Sequence, residues 1–173
     1  MALDARLLGT DNGVVNAINL APARRGDAPR LAGLARRLVE AGLEPCWTAA
    51  RIERQLHNPD SVVLTARAAR DIVGFAIMQY GDEAAHLVLL AVQPSYRRGG
   101  IGRQLVNWLE DTARVAGTFA IQLEVRSGNG AARAFYAALG YRESGLIRGY
   151  YQGVEDAIRL SRSLAVQRST AAP

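Results

Sequence analysis

Apolar residues along the chain change their period several times, and each change marks an element. Val14 to Leu20 alternates in the manner of a first strand. From Pro29 the spacing lengthens: Leu31, Leu34, Leu38 and Val39 fall on one face of a helix that Gly42 closes. Pro45-Cys46-Trp47 breaks the pattern, and Thr48 is placed to cap a second helix running through Leu56. After the Asn58-Pro59-Asp60 turn, Ser61 to Ala66 and Asp71 to Tyr80 read as antiparallel strands with their hairpin near Ala69-Arg70, and Gly81-Asp82 turns the chain again. Leu87 to Val92 is an apolar, branched run of strand length, stopped by Pro94, which brings no ladder donor.

Helical spacing returns at Leu105, Val106, Trp108 and Leu109, predicting a helix from Gly100 to about Ala116. Phe119 to Val125 is the next strand. A helical crossover places it parallel to the strand that ends at Val92. A turn over Ser127-Gly128-Asn129-Gly130 leads into a short helix from Ala131 to Leu139 with Gly140 at its C-terminus. Tyr141 to Tyr151 and Asp156 to Leu164 are the closing strand pair, joined by Gln152-Gly153-Val154-Glu155. No repeat or internal linker appears, so residues 14–164 are expected to form one domain, with 1–13 and 165–173 as frayed tails.

Composition narrows the class. With 49% hydrophobic and 21% charged residues the chain reads as a soluble globular protein, not a disordered one. No apolar run is long enough to span a bilayer, and the first residues lack a basic segment followed by an apolar one, so no membrane association and a cytoplasmic location are expected. One cysteine, Cys46, excludes an internal disulfide, and His57 and His86 with no Cys/His cluster give no metal signal. The net charge of +5 invites a nucleic-acid reading, but every basic residue is arginine in a chain rich in alanine and glycine, which points to compositional bias. No stable nucleic-acid complex is expected, and the oligomeric expectation is a monomer or weak dimer. The charge would still draw in a polyanionic cofactor or ease approach to a ribosomal surface.

The densest chemistry lies between the strand ending at Val92 and the helix after it, in Arg97, Arg98, Gly99, Gly100, Ile101, Gly102 and Arg103. The first turn of a helix leaves N–H groups unpaired at the positive end of its dipole, so it accepts a phosphate where no side chain blocks the way. Three glycines remove the blocking side chains and three arginines add charge. A P-loop would need Gly-Lys-Ser/Thr, and the chain has no lysine. A dinucleotide fingerprint would run directly from the strand into G-x-G-x-x-G; here Pro94 to Arg98 intervene and the third glycine position holds Leu105, although Glu124 stands where a ribose-binding acid would. The third reading is the acetyl-CoA loop Q/R-x-x-G-x-G/A of the GNAT acetyltransferases, whose fixed positions Arg97, Gly100 and Gly102 fill.

That reading gains from Leu123-Glu124-Val125-Arg126, Asn129, Phe135-Tyr136 and Leu139-Gly140-Tyr141, followed by Arg148, Tyr150-Tyr151 and Glu155-Asp156-Ala157-Ile158. Together they resemble the RimI-type ribosomal-protein N-terminal alpha-acetyltransferases, with patterns L-E-V-R-x-S-N, L-Y-x-x-L-G-F and R-x-x-Y-Y. The match runs from about Trp47 to Leu164. Gly128 replaces a usual serine, Phe135 a usual leucine, and Leu89 stands where a polar residue often occurs; none of these carries chemistry. The resemblance implies an α/β (α+β) GNAT fold: a mixed, mostly antiparallel sheet with a splayed central parallel pair, flanked by helices. It implies acetyl-CoA as co-substrate and no metal. Its pyrophosphate would lie on the Arg97–Arg103 loop with Asn129 nearby, and its pantetheine arm against the backbone of Leu90, Ala91 and Val92. Pro45 and Trp47 match a region that covers one side of the acceptor groove.

By the same resemblance Glu124 is the proton acceptor and Tyr136 the proton donor, while Tyr150, Tyr151 and Arg148 bind the acceptor. Each has a plainer alternative: Glu124 paired with Arg126, Tyr136 packed on Leu139, Asn129 as a turn residue, Arg148 paired with an internal carboxylate. Strand alternation would let at most one of Tyr150 and Tyr151 face the groove. Acetyl transfer needs a neutral amine, and at pH 7 roughly a tenth of an alpha-amine but under about a thousandth of a lysine is neutral. The expected acceptor is therefore a protein N-terminus, which the resemblance implies belongs to a small-subunit ribosomal protein, attacked directly in a ternary complex. The alternatives are a lysine or small-molecule amine acceptor, and a silent acyl-CoA or ribosomal-RNA binding module.

Overall fold

The computed structural model describes residues 17–164. The chain order is β1 (Ile18–Pro22), α1 (Ala28–Leu38), α2 (Ala49–His57), β2 (Ser61–Ala68), β3 (Asp71–Tyr80), β4 (Ala84–Val92), α3 (Ile101–Val115), β5 (Ala120–Arg126), α4 (Gly130–Ala138), β6 (Arg142–Tyr151) and β7 (Glu155–Ser163). Each element expected from the sequence is present, with shifted ends. Val14 to Asn16 of the expected first strand lie outside the described residues, and β1 continues to Pro22. Thr48 caps α2 as expected, its hydroxyl accepting from Arg51 N–H at 3.2 Å.

The seven strands form one sheet in the order β1-β2-β3-β4-β5-β7-β6. All neighbours are antiparallel except β4 and β5, which α3 connects as a crossover. Helices cover both faces. Leu105, Val106, Leu109 and Ala113 of α3 pack with α4 against one face, over Ala76, Met78, Leu87 and Ile121. On the other face Leu31 and Leu34 of α1 and Ile52 of α2 meet Ile72, Phe75, Ile77 and Leu89. β3 therefore lies between two apolar layers, which is why its sequence is nearly continuous in apolar residues instead of alternating.

The mixed sheet and its parallel pair agree with the expected fold. The pair is joined only by Ala84 with Ala120, Ala85 with Ile121 and His86 with Gln122. Beyond His86 the strands diverge. A bulge opposite Ile77 and Met78 places Val88 out of register, so that Leu87 belongs to the α3 layer and Leu89 to the α1/α2 layer. The extra residue, Val88, lies two positions past the last paired residue, His86.

A buried charge ties α3 to β7. The Glu110 side chain is 3% exposed and accepts from Arg162 at 2.8 Å to both carboxylate oxygens and from the Tyr141 hydroxyl at 3.1 Å. Glu110→Ala would strand Arg162 against an apolar layer, and breaking such a pair costs about 3 kcal/mol. Thermal unfolding should then fall by roughly 6–12 °C for a domain of this size. A melting curve of the variant checks this.

Candidate active site

The divergence of β4 and β5 opens a groove of about 700 Å³. Its floor is the gap itself, where the backbone edges of the two strands past His86 and Gln122 have no partner in each other. Its walls are the segment between α1 and α2 and the turn between β6 and β7. These walls are fastened together. The Gln152 side chain accepts from Glu44 N–H at 3.0 Å and donates to Glu44 C=O at 2.8 Å. Arg126 donates to Val39 C=O at 2.8 Å and to Glu155 at 3.2 Å.

Glu124 lies in this groove with its side chain 5% exposed. It does not pair with Arg126. Its Oε1 accepts from Arg159 Nε at 2.9 Å, and its Oε2 meets His86 Nε2 at 2.5 Å and the Tyr150 hydroxyl at 3.3 Å. Burial alone would raise the carboxyl pKa, but the hydrogen bonds and charges of His86 and Arg159 outweigh it and hold the group at about 2, below the ordinary 4.5. A folded pKa below the unfolded one means stability that is present above about pH 4.5 and lost as pH falls toward 2. The difference in urea midpoint between the protein and Glu124→Gln should be level above that window and shrink within it.

Tyr136 sits at the α4 edge of the groove, 6% exposed, with its ring edge-on to Phe135 and Tyr141. Burial, and then the nearby Tyr151, push its hydroxyl well above the ordinary value, so it stays protonated. Tyr150 and Tyr151 both line the groove, against the alternation expected of a regular strand. The cause is a register shift between Ile147 and Tyr151, with Gly149 at φ +60°. Tyr150 thereby reaches the Glu124 carboxylate and Tyr151 the Glu124 backbone carbonyl, at 3.3 Å each. Arg148 is exposed and lines no part of the groove. Asn129 caps α4, accepting from Ala132 N–H at 3.0 Å, and also faces the groove.

Leu90 lines the groove, while Ala91, Val92 and the Arg97–Arg103 loop lie beyond it at the C-terminal end of β4. Arg97 Nε donates to Val92 C=O at 3.0 Å and folds the loop back on the strand. Gly100, the N-cap of α3, has φ +80°, and no side chain fills the first turn there. A Cβ on Gly102 would stand 3.2 Å from the Phe135 ring. The N–H groups of Ile101, Gly102 and Arg103 begin the helix and have no intrahelical acceptor.

Residues 29–141 match the sequence model of the acetyltransferase (GNAT) family. The chain belongs to the GNAT family. It is 39% identical to the ribosomal protein bS18-alanine N-acetyltransferase of Salmonella typhimurium over 98 residues, 55% of this chain and 66% of that enzyme's length. It is 35% identical to the N-alpha-acetyltransferase RimI of Mycobacterium tuberculosis over 141 residues, 78% of this chain and 85% of that one. The crystal structure of the Escherichia coli ribosomal-protein-S18-alanine N-acetyltransferase superposes with a TM-score of 0.76 at 27% identity, covering 91% of this chain and all of that one.

Within the GNAT groove the structure adds residues that the sequence left without a role. His86 and Arg159 flank Glu124 from β4 and β7, and Glu40, 5% exposed, accepts from Cys46 and Trp47 N–H at 2.7 and 2.9 Å. No local motif signals these contacts, which join residues 38 and 35 positions apart in the first two cases. Cys46 also lines the groove, but burial and the Glu40 carboxylate raise its thiol pKa, opposite to what a nucleophilic thiolate needs. Cys46→Ala should leave turnover unchanged in a steady-state assay, whereas an acetyl-cysteine intermediate would require its loss.

Proposed function

We propose that this protein transfers the acetyl group of acetyl-CoA to the N-terminal alpha-amine of a protein, by direct attack within a ternary complex. The observation that carries the reading is the splayed β4/β5 groove holding Glu124, Tyr136, Tyr150 and Tyr151 together, with a glycine- and arginine-rich helix start beyond its end. The activities of the relatives at 39% and 35% identity support the same acceptor class, and that of the 39% relative supports a ribosomal protein within it. A cytoplasmic site of action follows from that acceptor, and among the described residues no helix is long and apolar enough to cross a membrane. Residues 14–164 would constitute the catalytic domain.

The residues present suit acetyl-CoA. Gly99 and Gly100 leave the start of α3 bare for the pyrophosphate and Gly102 lets that turn pack against Phe135, with Arg97, Arg98 and Arg103 beside it. The β4 edge through Leu90, Ala91 and Val92 that β5 leaves unpaired offers backbone partners to an amide-bearing arm, the Val92 carbonyl being shared with Arg97. Acetyl-CoA supplies the activated thioester. Tyr150 and Tyr151 would frame the acceptor's first residues, and the tied α1–α2 segment would close over them. Tyr136 would donate to the departing thiolate, since it holds its proton until that base appears. Glu124 would anchor the proton-accepting end.

Two peptides test the acceptor: one with a free alpha-amine and no lysine, the other blocked at its N-terminus with a single lysine. CoA release only with the first is expected. Release only with the second would move the acceptor to a lysine side chain. Silence with both, together with thermal stabilisation by CoA, would favour a small amine or a binding module.

A further inference from the structure

Glu124 is poorly suited to take a proton itself. Both its oxygens already accept hydrogen bonds, and Arg159 Nε pairs with Oε1 at 2.9 Å, which keeps the carboxylate ionised and makes it a weak base toward an ammonium. Its nearest partner is different in kind. An ionised carboxylate only accepts, so at 2.5 Å His86 Nε2 carries the hydrogen and donates it. When the ring is neutral, donation from Nε2 puts its lone pair on Nδ1. Nδ1 makes no hydrogen bond to another described residue, and the side chain, 38% exposed, lines the groove at the last paired residue before the strands part.

We propose that His86 receives the proton of the acceptor ammonium at Nδ1, with Glu124 acting as the carboxylate that orients the imidazole. This rests on the acetyl transfer proposed above. Of the three ammonium protons, one passes to Nδ1 and on to solvent. A second leaves nitrogen as the C–N bond forms and the C–S bond breaks, and passes through solvent to Tyr136, replacing the proton that Tyr136 gives to sulfur. The third stays on the amide.

The charged and titratable surroundings of His86 are consistent with that role. Glu124 of β5 faces Nε2, with Arg159 of β7 behind the carboxylate and the Tyr150 hydroxyl of β6 on the same oxygen. From β3 its register partner is Gln79, which is neutral and engaged with Gln55. Arg51 of α2 and Glu40 after α1 line other parts of the groove wall. Arg51 is stacked over Trp47 at 4.0 Å, and Glu40 is bonded to backbone N–H groups.

The test is the pH profile of kcat/KM with the free-N-terminus peptide for the unaltered protein, His86→Gln, and His86→Ala with and without added imidazole. Thermal stabilisation by acetyl-CoA serves as the control for folding and cofactor binding. His86→Gln should lose about a hundredfold at neutral pH, with the rising limb displaced to higher pH. Imidazole should restore part of the His86→Ala rate, and acetyl-CoA stabilisation should persist in both variants. A His86→Gln rate and profile matching the unaltered protein would overturn the proposal. So would a loss accompanied by lost acetyl-CoA stabilisation and no imidazole rescue, which would make His86 structural. Failure of the unaltered protein to acetylate this peptide would instead refute the acceptor assignment, so the two failures are separable.

Discussion

Glu124→Gln is expected to lower kcat/KM by about a thousandfold, with acetyl-CoA binding retained. The substitution keeps the shape of the side chain and can still accept one hydrogen bond from His86 Nε2, but removes the negative charge that both His86 and Arg159 face. An imidazolium formed during turnover would then lack its counter-charge, and Arg159 would be left beside an amide. The loss should appear mainly in kcat, because the cofactor elements lie on β4 and α3, apart from this carboxylate. A loss confined to KM for acetyl-CoA would place Glu124 in binding and contradict its assignment.

Tyr136→Phe is expected to reduce kcat by about a hundredfold at neutral pH. The phenylalanine retains the edge-on packing against Phe135 and Tyr141, so the melting temperature should change little. Only the proton donor is lost. An acyl donor whose leaving thiolate is more stable depends less on that donor, so an activated thioester should recover much of the variant's rate. Equal losses with activated and ordinary thioesters would contradict donation from Tyr136.

The sequence carried the order of the elements well because the main signals are local. Gly100 must adopt φ +80°, Thr48 caps α2 three residues ahead of its bonding partner, and β3 is apolar because it is covered on both faces. The family motifs likewise brought Glu124, Tyr136, Tyr150 and Tyr151 to one groove. What escaped was non-local. A bulge at Val88 depends on the register of the partner strand, and no composition rule fixes which residue is extra. The turn of Tyr150 and Tyr151 to the same groove arises from such an irregularity near Gly149. His86 carries no motif of its own in the sequence, and only the parallel pairing sets it beside Glu124, 38 positions away.

The most direct test of the central claim uses a single peptide that carries a free alpha-amine and an internal lysine, incubated with enzyme and acetyl-CoA and fragmented in a mass spectrometer to locate the acetyl group. The account predicts acetylation at the alpha-amine alone. Acetyl found on the lysine, with the N-terminus unmodified, would contradict it.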